Sequence, residues 1–248
     1  MKKYVFILMF CFLAGVTVYG DADSDKVVLT KINDSIWVHT SYFNYKGSSI
    51  PSYGLLGITN AGIVLVDTPW TNEQTQELLK MVKDKFAKPI QLAIFTHWHQ
   101  DRIGGIDTLI AEHIETASTA ATAELAVKAG FQKPNRVINP IREVFKVGDL
   151  SFETYFPGPG HTMDNIVIYF PQTSVLYGGC LVKPMGMTNL GNMADGDGTQ
   201  YPHTIRKVMK RYPKAKIVIA NHGASPWGGF GLLQHTFQLA EKQAAESH

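Results

Sequence analysis

Leu92-Ala93-Ile94-Phe95-Thr96-His97-Trp98-His99-Gln100-Asp101-Arg102-Ile103-Gly104-Gly105 is the stretch on which the reading of this chain turns. Its first four residues are apolar, Pro89 precedes them and a glycine pair closes the stretch, which marks a short buried strand running into a loop. His97, His99 and Asp101 then occupy alternate positions. A chain leaving a strand into a tight loop can aim three such side chains into one small volume. Neutral imidazole and carboxylate both ligate zinc. One histidine at a strand end is more often hydrogen-bonded or solvated than ligating. Three ligand types in alternation form a stronger pattern, and partners elsewhere in the chain decide what it means.

Such partners exist. His161 follows Pro157-Gly158-Pro159-Gly160, Cys180 follows Gly178-Gly179, and His222 stands in the turn Asn221-His222-Gly223. Each comes after an apolar, strand-like run. Glycine lets the backbone turn sharply and approach a metal closely. Six ligand-type residues at strand ends on one edge would make two adjacent metal sites. Cys180 has two readings at this point, an inert buried thiol or a metal ligand.

Residues 1–20 read as a secretory signal peptide: Lys2 and Lys3, an apolar core, a small residue at Gly20, then an acidic stretch. The apolar core is too short and wrongly flanked for a membrane anchor. Residues 21–248 then form the mature chain, a length that suits one domain with a sizeable core. Loss of Lys2 and Lys3 lowers the 23 basic residues to 21, against 21 acidic ones. A neutral mature chain offers no basic excess for nucleic acid. Cys11 lies in the leader, so Cys180 has no partner for an internal disulfide. Nothing argues for a subunit interface, so a monomer is expected.

Strands are expected near residues 27–30 and 36–38, 55–59 and 62–66, 92–95, 114–116, 144–145 and 150–156, 166–170, 175–177 and 216–220. Residues 42–53 carry turn formers and aromatics and read as a hairpin loop with exposed apolar side chains that could cover a site. Thr71 with Gln74 has capping-box spacing ahead of a helical face of Leu78, Leu79, Val82 and Phe86. Further helices are expected at 106–113, 120–129, 201–212 and 230–245, and residues 183–200 as an irregular, glycine-rich stretch. Hairpins followed by helices, twice over, suggest two packed sheets with helices outside.

These segments together resemble the metallo-β-lactamases, class B and subclass B1. The matching residues are His97-x-His99-x-Asp101, Gly158-Pro159-Gly160-His161-Thr162-x-Asp164-Asn165, Gly178-Gly179-Cys180-Leu181-Val182-Lys183, Leu190-Gly191-Asn192 and His222-Gly223. They span most of the mature chain and occur in the family's order. The resemblance implies an αββα sandwich and two Zn2+ per chain. It implies that His97, His99 and His161 bind the first zinc and that Asp101, Cys180 and His222 bind the second. It makes Lys183 the group that binds the substrate carboxylate and Asn192 a helper at the lactam carbonyl, with Asp101 and Asn192 taking part in catalysis. Asp67 matches an aspartate behind the metal site, and residues 42–53 sit where the family has its substrate-covering hairpin. Three departures stand out. Asn221 precedes His222 where glycine is frequent, Arg102 follows Asp101 where smaller residues are common, and Met163 replaces a frequent proline.

The implied activity is hydrolysis of the amide of penicillins, cephalosporins and carbapenems, conferring antibiotic resistance from the periplasm. The residues support such chemistry on their own terms. Three histidines leave zinc an open position for water, whose pKa falls to about 7. Lys183 offers a positive charge to a carboxylate beside the ring. The serine-enzyme pair of S-x-x-K and K-T-G motifs is not apparent. Another reading is a superfamily hydrolase of thioesters or lactones, but such relatives carry a histidine after the motif aspartate and a metal-bridging aspartate where Arg102 and Cys180 stand. A non-catalytic zinc protein is the third reading. His39, His113, His203, His235 and His248 read as structural or surface residues, and Trp70 and Trp98 as packing.

Overall fold

The structure, a computed structural model, describes residues 26–246. The leader expected at 1–20 lies outside the described residues.

The chain first builds one mixed sheet. Strands β1 (Val28–Lys31), β2 (Ile36–Tyr45), β3 (Ser48–Ile58), β4 (Ile63–Val66), β5 (Ile90–Ile94), β6 (Glu115–Ser118) and β7 (Arg136–Val137) lie side by side in chain order. The first four are antiparallel meanders, and β4, β5, β6 and β7 are parallel neighbours joined through helices. The second sheet holds β8 (Arg142–Val147), β9 (Leu150–Tyr155), β10 (Val167–Phe170), β11 (Val175–Gly179), β12 (Ile217–Ala220) and β13 (Trp227–Gly228) in the order β13-β12-β11-β10-β9-β8.

Period-two alternation divides each strand between two cores. Leu55, Val64, Val66 and Ile94 point inward and meet Phe152, Ile168, Phe170, Val175, Tyr177 and Ile219 of the second sheet. Their neighbours Leu56, Ile63, Leu65 and Ala93 point the other way. There they meet Leu78 and Val82 of α1 (Asn72–Phe86) and Ile106 and Leu109 of α3 (Ile106–Ala111). On the far side Val167, Leu176 and Val218 pack on Ile205 and Val208 of α5 (Tyr201–Arg211) and on Leu232, Leu233 and Ala240 of α6 (Gly231–Glu246). Helix, sheet, sheet, helix is therefore the layer order, as the resemblance implied. Thr71 caps α1 by accepting from the Gln74 amide at 3.2 Å, the contact its spacing forecast.

The hairpin expected at residues 42–53 is present as the distal half of the β2–β3 pair, but it is paired strand rather than loop for nearly its whole length, without a break from Ile36↔Gly57 to Tyr45↔Ser48. The turn is only Lys46-Gly47, both at positive φ (50° and 81°), which is the two-residue geometry that matches strand twist. The polar residues that suggested a loop lie on a ribbon that projects beyond the core. Two further strands, β7 and β13, and the short helix α2 (Gln100–Ile103) had no counterpart in the sequence reading.

Candidate metal centre

The parallel strands β4, β5, β11 and β12 all end on the same edge, and the ligand-type residues follow them. Asp67 follows β4, His97, His99 and Asp101 follow β5, Cys180 follows β11, and Asn221 and His222 follow β12. His161 reaches the same edge from the turn between β9 and β10. Asn165 shapes that turn: its Oδ1 accepts from Thr162 N at 3.0 Å and its Nδ2 donates to Gly158 O at 3.0 Å. Asp164 ties the turn to the opening loop, its Oδ2 accepting from Trp98 N at 3.1 Å.

His97, His99 and His161 form one cluster. Their ring centroids lie 4.9 to 5.1 Å apart, and His161 Nε2 stands 3.2 Å from His99 Nδ1. The far nitrogen of His99, Nε2, meets Asp195 Oδ2 at 3.1 Å. With the proton on Nε2, the Nδ1 lone pair faces the cluster, a pairing that fixes a ligand's tautomer. His97 Nε2 is buried and meets no hydrogen-bond partner among the described residues. Burial holds His97 and His161 well below the ordinary histidine pKa; His99 is the next cause for His97, and the nearby Lys183 charge for His161. Both are therefore neutral, as ligation requires.

Asp101, Cys180 and His222 form the second cluster. Cys180 Sγ is 3.3 Å from Asp101 Oδ2 and 3.7 Å from His222 Nε2, and the last two atoms are 3.5 Å apart. Bonds of about 2.0–2.3 Å to a tetrahedral zinc put its donors about 3.3–3.7 Å from one another. The spacing fits. His222 Nδ1 donates to Pro51 O at 2.8 Å, which turns Nε2 toward the cluster. Donor atoms of His97, Asp101 and Cys180 also lie within 4.8 Å of one another, so the two clusters adjoin at His97. Burial pushes the Cys180 thiol up to about 12, with the Asp101 charge adding to it; a coordinated cation reverses that balance, because a coordinating thiol is deprotonated.

Arg102 explains how Asp101 is held. Its guanidinium is fully buried and reaches Asp101 Oδ2 from Nε at 2.9 Å, Tyr53 O at 2.8 Å, Tyr177 OH at 2.6 Å, Asp67 Oδ2 at 3.2 Å and, through its remaining nitrogen, Ser52 Oγ. Burial opposes the Asp101 charge, but Arg102 and then His222 outweigh it and hold the carboxyl well below the usual range. Asp67 sits behind the cluster and accepts from Thr96 N at 2.7 Å, which anchors the backbone at the start of the opening loop.

Lys183 is buried beside the site, and burial lowers its pKa while Cys180 and Asp101 oppose that shift. Asn192 is exposed, and its Oδ1 accepts from Ala194 N at 3.1 Å within a turn. Phe43 of the β2–β3 ribbon stacks on Trp70 at 5.1 Å, and Trp70 stands 6.1 Å from the His222 ring. Trp70 thus packs directly beside a residue of the site, within the packing role expected of it. Trp98 does pack, against the core outside the first sheet. Sequence reasoning missed Asp195, Ser52 and Tyr177 as supports of the site; an acidic residue in the glycine-rich stretch 183–200 was the only available signal.

The metallo-beta-lactamase superfamily profile matches residues 49–222, which include every one of these ligand-type side chains. The chain belongs to that superfamily. It is 42% identical over 217 residues to a metallo-beta-lactamase type 2 of Bacillus sp. (strain 170), covering 88% of this chain and 83% of the relative. It is 33% identical over 248 residues to the enzyme of the same name from Pseudomonas aeruginosa, covering 100% of this chain and 97% of the relative. A solved metallo-beta-lactamase from Pontibacter korlensis superposes with a TM-score of 0.84 at 41% identity, covering 87% of this chain and 99% of that one. Metal dependence follows for a metallo-β-lactamase with two such clusters. No described helix is long and apolar enough to cross a membrane.

Proposed function

We propose that this metallo-β-lactamase opens the β-lactam amide of penicillins, cephalosporins and carbapenems with two Zn2+ per chain. The observation that carries the reading is the pair of adjoining donor clusters, the second at zinc-ligand spacing and the first containing a buried histidine nitrogen with no hydrogen-bond partner among the described residues. His97, His99 and His161 would hold the first zinc, and Asp101, Cys180 and His222 the second. Bound zinc supplies Lewis acidity and brings the pKa of water to about 7.

The chain's own groups do the rest. Arg102 keeps Asp101 ionised and aimed, so its carboxylate can accept a hydrogen bond from the attacking water. Lys183, adjoining both clusters, binds the carboxylate next to the lactam ring. Asn192, on its exposed turn, would swing to the lactam carbonyl oxygen and donate to it as charge develops there. Phe43 and Trp70 form an apolar wall that shields the second cluster from water. We further propose that residues 1–20 direct the chain to the periplasm and that residues 21–248 act there as one monomeric domain.

The test is hydrolysis of a chromogenic cephalosporin by the mature protein, with a chelator and with zinc restored. Turnover that the chelator abolishes and zinc restores is expected. No turnover with zinc present, or hydrolysis confined to thioesters and lactones, would overturn the reading.

A further inference from the structure

Asn221 occupies an unusual position. Its side-chain Nδ2 lies 3.0 Å from Asp101 Oδ2, 3.0 Å from Cys180 Sγ and 3.0 Å from His222 Nε2. One amide nitrogen is therefore equidistant from all three donor atoms of the second cluster. It has two hydrogens to share among three acceptors. Its oxygen is committed elsewhere: Oδ1 accepts from Tyr53 N at 2.8 Å, in a residue with no exposure to solvent. That bond fixes which end of the amide faces the cluster. Turning the group over would set its NH2 against the Tyr53 N–H, donor against donor.

The consequence for a metal is geometric. An atom bonded to all three donors at about 2.1 Å lies within about 3 Å of Nδ2, whichever side of the donor plane it takes. An amide nitrogen is a poor ligand, since its lone pair is delocalised into the carbonyl. Its hydrogens present positive charge to any cation seated there. For the second metal to bind, the Asn221 side chain must turn away and give up its bond to Tyr53.

We infer that Asn221 is a built-in competitor for the second metal: its amide shares its two hydrogens among Asp101, Cys180 and His222 and so separates the affinities of the two sites. The inference rests on the reading of those three residues as the second zinc's ligands. Among the described residues no amide faces the histidine cluster in this way: His161 Nε2 and His99 Nδ1 meet only each other, and His97 Nε2 has no hydrogen-bond partner. The first zinc therefore fills its site before the second. Tyr53 lies in β3, so filling the second site also releases a backbone hydrogen bond at the root of the projecting ribbon.

Zinc titration of the metal-free protein by calorimetry, with native mass spectrometry counting bound ions, tests this. One zinc is expected to bind tightly and the second at least about tenfold more weakly, the equivalent of one buried hydrogen bond. Asn221→Ala should tighten the second step about tenfold and leave the first unchanged. Asn221→Asp keeps an oxygen for the Tyr53 amide and replaces the NH2 with a ligating oxygen, so it should tighten the second step further. In the wild type, hydrogen exchange at the Tyr53 amide should speed up only with the second equivalent of zinc. Two zincs bound with the same separation of affinities in all three proteins would overturn this inference alone. A single zinc in all three would overturn the ligand assignment and the inference with it.

Discussion

Arg102→Met in the metal-free protein removes a charge from the centre of the site while keeping most of the side chain's bulk. The guanidinium pairs with two carboxylates, Asp101 at 2.8 Å and Asp67 at 3.2 Å, and all three side chains are nearly or wholly out of solvent. It also donates to Tyr53 O and Tyr177 OH. Removing one member of a buried ion pair costs about 3–5 kcal/mol, because the remaining charge has lost its partner in a medium that solvates it poorly. Here two carboxylates are stranded, so the loss should reach at least that range at pH 7. Urea unfolding followed by circular dichroism measures it. The pH dependence carries the mechanism. In the wild type, Asp101 is held well below its ordinary pKa, so its contribution is present above the unfolded pKa and disappears as pH falls through the folded one. Without Arg102 both carboxyls are pushed up by burial, so the variant regains part of its deficit as they protonate. The gap between wild type and variant should narrow from pH 7 toward pH 4.5. A loss under about 1 kcal/mol, the worth of a solvated surface pair, or a gap that does not vary with pH, would refute the claim that Arg102 is what keeps Asp101 charged.

Three further outcomes are expected. Cys180→Ser should weaken the second zinc at least about tenfold in a metal titration and leave the first almost unaffected, since hydroxyl is a far poorer ligand than thiolate. Lys183→Ala should raise KM for carboxylate-bearing β-lactams roughly ten- to a hundredfold with a smaller change in kcat, the loss of a charge-assisted hydrogen bond, and should not alter KM for a substrate whose carboxylate is esterified. His39 is fully buried, and burial lowers its pKa from 6.5 to about 4. The unfolded chain binds a proton there first, so stability is lost as pH falls through that window, by about 3 kcal/mol at its lower end. Urea midpoints measured from pH 7 to pH 4 should fall more steeply for the wild type than for His39→Gln, and equal slopes would count against a neutral buried His39.

The layer order and the edge carrying the site were legible because both rest on local signals. Apolar runs mark β5, β11 and β12, and His97, His99, Cys180 and His222 follow them closely in turns that carry glycine. How far strand pairing runs along the β2–β3 hairpin was not legible, for a physical reason. Tyr42, Asn44 and Ser48 have no strand pattern of burial because the ribbon projects past the core, and only cross-strand pairing from Asn44↔Ser49 inward holds it extended. The two-residue strands β7 and β13 are too short to show any period. Arg102 could not be interpreted because its role needs Asp67, Tyr53 and Tyr177, which come from three other strands or strand ends. Asn221 and Asp195 are in the same position: small polar residues in glycine-containing irregular stretches, whose meaning comes from side chains distant in sequence.

Zinc-edge anomalous diffraction from crystals grown with zinc tests the central claim most directly. Two peaks are expected, one bonded by His97, His99 and His161 and the other by Asp101, Cys180 and His222, with the Asn221 amide turned out of the second cluster. A single ion shared among these residues, or zinc bound elsewhere with the histidine cluster empty, would contradict the account.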